Sequence, residues 1–462
     1  MRLPLMAFII LTGVLTHGLW AAETRQATGV KIGEVTDSSA MLWVRQTAKA
    51  ERNAGEVPKE LQQGAKLDGL EGYTPGASGR VRVRYGEKED LSDAKELAWV
   101  EVTEKTDCAH SFKLEGLTAA TVYHFAAETA GPGGSPVFGA LKGRFETAPK
   151  PEAKANISFT VITGQAYRTL DDPKGHLIYG SMLKLAPKFF ITTGDTVYYD
   201  NDAPNVINKD VARYHWQRIY SLPRVIEFHR QTASYWEKDD HDILENDCWP
   251  TKTPSKVGTL TWAEGLALYA EQVPMSDKPY RTFRWGQGVQ VWLTEGRDFR
   301  SSNKDPDGPE KTIWGAEQKA WFKKTVLESD AEWKVLVTPT PIVGPDRGKK
   351  SDNHANEAFA AEGKEIREWI KANGKGKLFI VCGDRHWQYH SQDPETGVHE
   401  ICCGPTTDKH AGGSPGEDPK YHKYHRVIGG FLSVSVAWEG GKSTLAFRLN
   451  DVHGKQVYEW KP

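Results

Sequence analysis

Apolar and polar residues alternate in short runs along the first 150 residues of the chain. Polarity changes at nearly every position in Ser39-Ala-Met-Leu-Trp-Val-Arg45 and in Arg80-Val-Arg-Val-Arg-Tyr85. Two further runs of this kind lie around a turn between Ser111 and Phe125. Strict alternation is typical of β-strands with one buried face. Short strands at this spacing predict an all-β sandwich over residues 27–149.

The pattern changes after a linker rich in Pro and Lys at residues 148–154. An apolar strand (157–162), an amphipathic helix (175–186) and a second apolar strand (189–191) follow in order. This order favours parallel pairing of the two strands through a crossover helix. The alternation continues with strand Val289–Leu293, helix Ala316–Glu328, strand Trp333–Thr338, helix Ala355–Ala372 and strand Lys377–Cys382. We therefore predict an α/β catalytic domain over residues 155–462.

The first 22 residues have the layout of a secretory signal peptide. Arg2 precedes an apolar stretch from Leu5 to Leu15, and small residues follow at Ala21 and Ala22. The alternative is an uncleaved anchor, for which the apolar run is short. Because no later segment is apolar enough to cross a bilayer, we expect a protein that is secreted or periplasmic, with no transmembrane span after cleavage.

Composition excludes some classes of partner and of fold. The 462 residues carry a formal net charge of −2, which gives no support for binding nucleic acid. The five cysteines are an odd number without a CxxC spacing, so they do not define a disulfide framework. One disulfide is conceivable in an oxidising compartment, but the sequence does not pair the cysteines.

Three clusters of acidic, imidazole and phenol side chains follow apolar stretches. They are Gly194-Asp-Thr-Val-Tyr198, Trp236-Glu-Lys-Asp-Asp-His-Asp242 with Asn246, and Cys382-Gly-Asp-Arg-His-Trp387. Ligands bind at the carboxyl edge of an open α/β sheet, where such residues would meet. Their donor atoms suit hard and borderline cations. Taken alone, Gly-Asp is a common turn and the acidic run fits a solvated loop. Together the clusters predict two metal ions bridged by Asp195, which would clamp a phosphoryl group and activate a water.

In this order the motifs resemble those of PhoD-type alkaline phosphatases, members of the calcineurin-like metallophosphoesterase superfamily. Besides the three clusters, Gly296-Arg-Asp-Phe-Arg300 carries the resemblance, as do Gly29-Val-Lys-Ile-Gly33 and Ser39–Arg45 near the N-terminus. The resemblance implies a four-layer αββα sandwich preceded by a fibronectin type III-like domain. It also implies an exported hydrolase that cleaves phosphomonoesters, phosphodiesters or both by attack of a metal-bound hydroxide.

The resemblance further implies roles for individual residues. The expected metal ions are iron(III), held by Tyr198 as a tyrosinate, and calcium at the neighbouring position, with Asp195 bridging them. The other expected metal ligands are Asp240, Asn246, Asp384 and His386. His241 is expected to contact the phosphate or to protonate the leaving group. Arg297, with Arg300, either grips substrate phosphate or forms a surface or interdomain salt bridge. The candidate catalytic residues are thus His241, Asp195 and Arg297.

The chain departs from the family pattern at the end of the first catalytic strand. The family usually has Ser-Cys-Gln there, with the Cys as an iron ligand, whereas this chain has Thr163-Gly164-Gln165. The missing thiolate leaves the first metal open between iron and a harder cation such as calcium, manganese or magnesium. Gln165 and His176 are alternative ligands that the spacing does not establish. His410, His422 and His425 lie in a late loop and are expected to be exposed rather than ligands.

A protein of another class is the alternative interpretation. The missing cysteine and the fibronectin-like region would also suit a catalytically silent binding or scaffold protein that kept the fold. Retention of the carboxylates and histidines of the three clusters favours the enzyme. No Gly-x-Ser-x-Gly nucleophile motif is present. The expected substrate is a small or polymeric phosphate ester, and its monoester or diester nature stays open.

Overall fold

The structure is a computed structural model that describes residues 23–462. Within this range the chain forms 21 β-strands and seven α-helices. The predicted signal peptide, residues 1–22, lies outside the described residues. The strands form three sheets of nine, seven and five strands.

The N-terminal region is built from strands alone, apart from two short 3-10 helices, as its alternating pattern predicts. Its eight strands are β1 (Val30–Gly33), β2 (Ser39–Arg45), β3 (Gly79–Gly86), β4 (Lys95–Glu96), β5 (Val100–Val102), β6 (Ala109–Glu115), β7 (Val122–Ala130) and β8 (Leu141–Glu146). In β3 buried and half-buried residues alternate, which is the pattern of a strand with one covered face.

Strands and helices alternate in the region that follows. Its first part contains β9 (Ile157–Ile162), α1 (Leu177–Lys184), β10 (Phe189–Thr193), α2 (Lys209–Tyr220), α3 (Pro223–His229), β11 (Ala233–Glu237), α4 (Asp240–Ile243), α5 (Trp262–Gln272), β12 (Arg281–Trp285) and β13 (Val289–Leu293). Its second part contains α6 (Gly315–Glu328), β14 (Trp333–Thr338), α7 (Ala360–Asn373), β15 (Leu378–Cys382), β16 (Gln388–Gln392), β17 (His399–Cys403), β18 (His422–Arg426), β19 (Phe431–Glu439), β20 (Lys442–Asn450) and β21 (Gln456–Trp460).

Parallel strands form the centre of both large sheets. The nine-stranded sheet has the order β21-β20-β19-β9-β10-β11-β1-β2-β6, and β9, β10 and β11 run parallel in it. The seven-stranded sheet has the order β12-β13-β14-β15-β17-β16-β18, with β13, β14 and β15 parallel. All five residues of β10 are buried, as in a strand that is covered on both faces.

The two large sheets pack face to face, and helices cover their outer faces. Between them, Phe189 of the nine-stranded sheet stacks on Trp285 of the seven-stranded sheet with ring centroids 4.8 Å apart. Helices α1, α2, α3 and α5 share an apolar cluster with the outer face of the nine-stranded sheet. Helices α6 and α7 do the same for the seven-stranded sheet. The predicted αββα order of layers is confirmed.

The N-terminal strands are shared between two sheets. Strand β1 pairs in parallel with β11, placing Ile32 opposite Ala233, and β2 and β6 follow it to the edge of the nine-stranded sheet. Strands β3, β4, β5, β7 and β8 form the separate five-stranded sheet. One apolar cluster includes residues from both regions. The N-terminal strands therefore extend the catalytic sheet itself.

Two further features bear on the expectations from sequence. The five cysteines are buried and free. Among residues 23–462, no helix has the length and apolar character needed to span a membrane.

We predict that residues 155–462 do not fold without the N-terminal strands. Their removal would uncover the edge of β11 and the ring of Tyr220, whose centroid lies 4.0 Å from Nζ of Lys31 in β1. An exposed strand edge favours aggregation. Uncovered apolar side chains do the same, because each contributes ~1.5–3 kcal/mol to stability only when it is buried. Expression of residues 23–462 and 155–462 side by side, with circular dichroism and gel filtration, checks this. A folded monomer of 155–462 would contradict it.

Candidate metal centre

The acidic side chains of the centre lie shortly after the ends of three strands. Asp195 comes two residues after β10, Asp239 two residues after β11 and Asp384 two residues after β15. Asp195 and Asp384 have left-handed backbone conformations, with φ of 54° and 62°. Such conformations cost a non-glycine residue ~1–3 kcal/mol and are found at functional sites. The chain therefore turns sharply where each carboxylate leaves its sheet.

Glycine at position 194 allows the ends of β10 and β11 to approach each other. Gly194 has φ of 92°, and a Cβ there would lie 2.6 Å from the backbone nitrogen of Asp239. The approach is fixed by the Asp242 carboxylate, which accepts hydrogen bonds from the backbone N–H groups of Thr196 (2.7 Å), Val197 (3.1 Å) and Asp239 (2.9 Å). Asp242 thus joins the two loops that carry the acidic residues.

Asp195 belongs to two sets of possible metal ligands. Ligand atoms of Asp195, Asp240 and His241 lie within 4.8 Å of one another, and so do those of Asp195, Asp239 and Asp384. Asp195 is only 2% exposed. One carboxylate shared by two sets is the arrangement that a bridging ligand requires. The structure thus brings together the predicted residues Asp195, Asp240, His241 and Asp384, and adds Asp239.

Tyr198 and His386 lie on another side of Asp195. The Tyr198 hydroxyl donates to Asp195 Oδ2 over 3.0 Å and lies 3.3 Å from His386 Nε2. His386 Nε2 is 4.0 Å from the same carboxylate oxygen. Burial, and then the Asp195 carboxylate, raise the pKa of Tyr198 well above its usual value. A tyrosinate at this position therefore needs a strongly acidic cation beside it.

The centre fits cations, because its negative charge exceeds what the protein neutralises. Asp195 Oδ1 and Asp239 Oδ2 are buried and find no hydrogen-bond partner within residues 23–462. Burial, reinforced by the neighbouring carboxylates of Asp240 and Asp239, raises the pKa of Asp195 well above its usual value although His241 opposes this. Buried carboxylates without partners are unfavourable unless a cation or proton joins them.

Arg297 does not lie where substrate could reach it. Its side chain is 0% exposed, its Nε donates to Asp239 Oδ1 at 2.5 Å, and its Nη1 donates to the Cys248 carbonyl. Its Nη2 lies 3.5 Å from Asp240 Oδ2. The expected grip on substrate phosphate does not fit this burial, and the ion pair that Arg297 forms instead lies in the interior rather than at the surface. Arg297 positions Asp239 and Asp240.

Asp200 is a partner of His241 that sequence reasoning missed. His241 Nδ1 lies 2.5 Å from Asp200 Oδ1, and Asp200 Oδ2 accepts from the backbone N–H of Asn246. Burial alone would lower the pKa of His241, but Asp240, Asp195 and Asp200 raise it to about 10. The only local signal is the position of Asp200 directly after Tyr198-Tyr199. This carboxylate fixes the orientation of the imidazole.

A cavity of about 420 Å³ opens above the centre. The predicted residues that line it are Asp195, His241, Asn246, Asp384, His386 and Trp387. Arg347 and Lys350 also line it, and sequence reasoning missed both. Their signal was the basic segment Arg347-Gly-Lys-Lys350 in the long connection after β14. Lys350 Nζ pairs with Asp247 at 2.6 Å, whereas Arg347 Nε is 3.5 Å from its nearest carboxylate. The cavity is therefore lined by two basic residues as well as by residues of the acidic centre.

The residues considered in place of the missing cysteine lie in different environments. The Gln165 side chain is occupied by Tyr179 and by the Thr196 carbonyl. His176 is fully buried, with Asp171 at 4.0 Å. The expectation that His410, His422 and His425 are exposed is wrong, because His422 is buried and the other two are half-buried. The His410 ring centroid lies 3.9 Å from that of His386.

The αββα fold of this chain recurs in proteins of known structure. Two solved structures share the fold. The alignment with a structure of PhoD covers 95% of this chain and 93% of the PhoD chain at 16% identity, with a TM-score of 0.72. The alignment with a structure of a purple acid phosphatase from seeds of yellow lupin (Lupinus luteus) covers 94% of this chain and 73% of that chain at 12% identity, with a TM-score of 0.62. At such identities the likeness shows the fold alone.

Family models give the narrower identification. The model described as "PhoD-like phosphatase" matches residues 159–428, and that of "PhoD-like phosphatase, N-terminal domain" matches residues 17–149. The chain belongs to the PhoD-like phosphatase family and is a phosphoesterase hydrolase. Among curated proteins, no relative matches it.

We predict that Asp242→Ala lowers the free energy of unfolding by more than the removal of an exposed carboxylate does. The substitution leaves three backbone N–H groups without their acceptor, and each unsatisfied buried donor costs ~1–3 kcal/mol. Asp242→Asn keeps one acceptor oxygen and should lie between Ala and wild type. The measurement is the free energy of unfolding in guanidinium chloride, with chelator present so that bound ions do not contribute.

The matched control for Asp242 is Asp277→Ala, which removes an exposed carboxylate. It should stay within about 0.5 kcal/mol of wild type. Equal unfolding free energies for Asp242→Ala and Asp277→Ala would show that the three hydrogen bonds do not hold the two loops.

Proposed function

We propose that the chain is an exported, metal-dependent phosphoesterase that hydrolyses phosphomonoesters, phosphodiesters or both. The observation that carries this is Asp195, a buried carboxylate shared by two sets of possible metal ligands, which lines the same cavity as Arg347 and Lys350. Two ions held there would polarise the phosphoryl group and lower the pKa of a water for in-line attack. The apolar stretch after Arg2 supports export.

The ions we propose are iron and calcium. Asp195, Tyr198 and His386 would hold the first, since a phenol with a raised pKa is deprotonated most readily by a ferric ion. Asp195, Asp240 and Asn246 would offer the second an oxygen-rich set, which suits calcium. Asp384 and Asp239 lie within reach of Asp195 and complete the acidic shell.

The protein's own groups supply binding and proton transfer. Arg347 and Lys350 would hold the non-bridging phosphate oxygens, since both line the cavity. Asp200 accepts from His241 Nδ1, which leaves Nε2 to donate to a phosphate or leaving-group oxygen. We expect water to attack the phosphorus atom directly, so that no covalent enzyme intermediate forms. The buried guanidinium of Arg297 fixes the carboxylates of Asp239 and Asp240 through ion pairs.

A catalytically silent scaffold is the competing function. It is favoured by Gly164, which gives the centre no thiolate. The buried oxygens of Asp195 and Asp239 argue against it, because a protein without ions gains nothing from carboxylates that it must bury unpaired.

We predict that Asp195→Asn lowers hydrolysis at least ~100-fold, because it removes the carboxylate common to both ligand sets. The mature chain is assayed on p-nitrophenyl phosphate and bis(p-nitrophenyl) phosphate with calcium, manganese or iron added after chelation. Asp277→Asn, in which an exposed carboxylate changes, is the matched control and should keep full activity.

Two outcomes would favour the scaffold over the enzyme. One is the absence of hydrolysis of either ester by the wild-type chain with every metal. The other is activity of Asp195→Asn equal to that of Asp277→Asn. The ratio of the two rates in the wild-type chain also distinguishes monoesters from diesters.

We predict that Arg347→Ala raises KM by ~10–100-fold with a smaller change in kcat. The guanidinium faces the cavity, and a hydrogen bond to a charged group contributes ~1.5–3 kcal/mol. Lys349→Ala removes an exposed positive charge two residues away and is the control for general electrostatic attraction. Equal KM values for the two variants would exclude a direct contact of Arg347 with substrate.

A further inference from the structure

A second, larger cavity adjoins the cavity above the centre. Its volume is about 660 Å³, which falls within the range of ~300–1,000 Å³ that is typical of sites for small molecules. Asn246 and Asp247 line both cavities. Lys350 lines the cavity above the centre, and the next residue, Ser351, lines the larger one. The two cavities therefore meet along these residues, and we call the larger one the side cavity.

His241 and Asp200 link the two cavities chemically. His241 lines the cavity above the centre, whereas Asp200 lines the side cavity, and its Oδ1 lies 2.5 Å from His241 Nδ1. The role proposed for His241 is to donate from Nε2 to a phosphate or leaving-group oxygen. The alcohol part of an ester bound beside this histidine therefore has the side cavity as its neighbouring space.

One wall of the side cavity is a loop that is closed by its first residue, Glu245. The Glu245 carboxylate is buried and accepts from the backbone N–H groups of Ser255 and Lys256, both at 2.8 Å. Lys252 Nζ lies 3.1 Å from the same carboxylate and donates to the Asn246 carbonyl at 2.8 Å. These bonds hold the wall in shape without a ligand and tie it to Asn246, which is a predicted metal ligand.

The charges along the side cavity leave positive charge uncompensated. Each of its three carboxylates is paired with a basic side chain, in the pairs Asp200–His241, Glu245–Lys252 and Asp247–Lys350. Lys256 and Lys304 also line the side cavity and are exposed, and among residues 23–462 neither has a carboxylate within 4.0 Å. Because unpaired positive charges attract anions, the side cavity suits a ligand with a negatively charged group.

Hydroxyl groups and an indole ring supply much of the remaining lining. Thr251, Thr253 and Ser351 are exposed, and their hydroxyls have no hydrogen-bond partner in the part of the chain that the structure describes. Trp249 lines the same cavity, with Lys252 Nζ 5.6 Å from its ring centroid. Free hydroxyls beside an aromatic ring suit a ligand that carries hydroxyl groups on a carbon skeleton.

We propose that the side cavity binds the alcohol part of the substrate, and that this part carries hydroxyl groups and a second phosphate, as in a sugar bisphosphate. This assignment rests on the proposed phosphoesterase activity and names a substrate class for it. One phosphate would lie at the centre with Arg347 and Lys350, and the second would pair with Lys256 and Lys304. Two unpaired lysines match the charge of a phosphate dianion.

Hydrolysis of fructose 1,6-bisphosphate and of fructose 6-phosphate by the mature chain tests the proposal. Phosphate release gives kcat/KM for each probe, and the ratio of the bisphosphate value to the monophosphate value is the readout. We expect a ratio of at least ~10 in the wild-type chain, as a hydrogen bond between charged groups provides. Lys256→Ala and Lys304→Ala should each lower the ratio, and the double variant should remove most of the preference. Lys256→Arg keeps the charge and should retain it.

Lys349→Ala is the matched control, since Lys349 is exposed and lines neither cavity. It should keep the wild-type ratio. A ratio that falls as far in Lys349→Ala as in the double variant would show general attraction between charges and would overturn the proposal.

The wild-type chain separates this proposal from the proposed function. Equal kcat/KM values for the two sugar phosphates would overturn the assignment of the side cavity and leave the phosphoesterase intact. Hydrolysis of p-nitrophenyl phosphate but of neither sugar phosphate would have the same meaning. A wild-type chain that hydrolyses none of the three esters would overturn the proposed function together with this inference.

Discussion

The burial of several carboxylates in one place is the constraint on which the rest of this structure depends. Removing an ionised carboxylate from water costs several kcal/mol unless hydrogen bonds or opposite charges compensate. Different contacts compensate the burial of each carboxylate. Asp242 accepts three backbone N–H bonds, Asp239 pairs with the buried guanidinium of Arg297, and Asp240 accepts from backbone at the start of α4 and after it. Asp195 has Tyr198 as a donor, and its Oδ1 is left for a cation.

The sheets explain why these residues can be held so close. Parallel pairing of β9, β10 and β11 brings successive strand ends to one edge, and the facing sheet contributes the end of β15. The N-terminal strands continue this sheet beyond β11, so the all-β region stabilises the frame of the centre. In this chain the N-terminal region is thus part of the scaffold that holds β9, β10 and β11.

Local sequence signals account for the predicted residues that the structure brings together. Asp195, Asp240 and Asp384 directly follow apolar strands, and a βαβ order places such ends together. Strand β1 carries no comparable signal for pairing with β11, because its partner lies 200 residues away. The burial of Arg297 depends on Asp239 across the interface of two sheets, and His410 reaches the centre through a loop without periodicity. Such contacts follow from tertiary packing, which no local pattern encodes.

Ion binding and folding are coupled in this arrangement. Asp195 and Asp384 hold left-handed conformations that cost ~1–3 kcal/mol each, and the surrounding carboxylates repel one another. The remainder of the core offsets these costs, so the metal-free centre lowers the net stability of the fold. An ion that binds only the folded chain adds stability in proportion to its concentration over its Kd. The same carboxylates that weaken the metal-free protein would therefore provide the affinity for the ions that stabilise it.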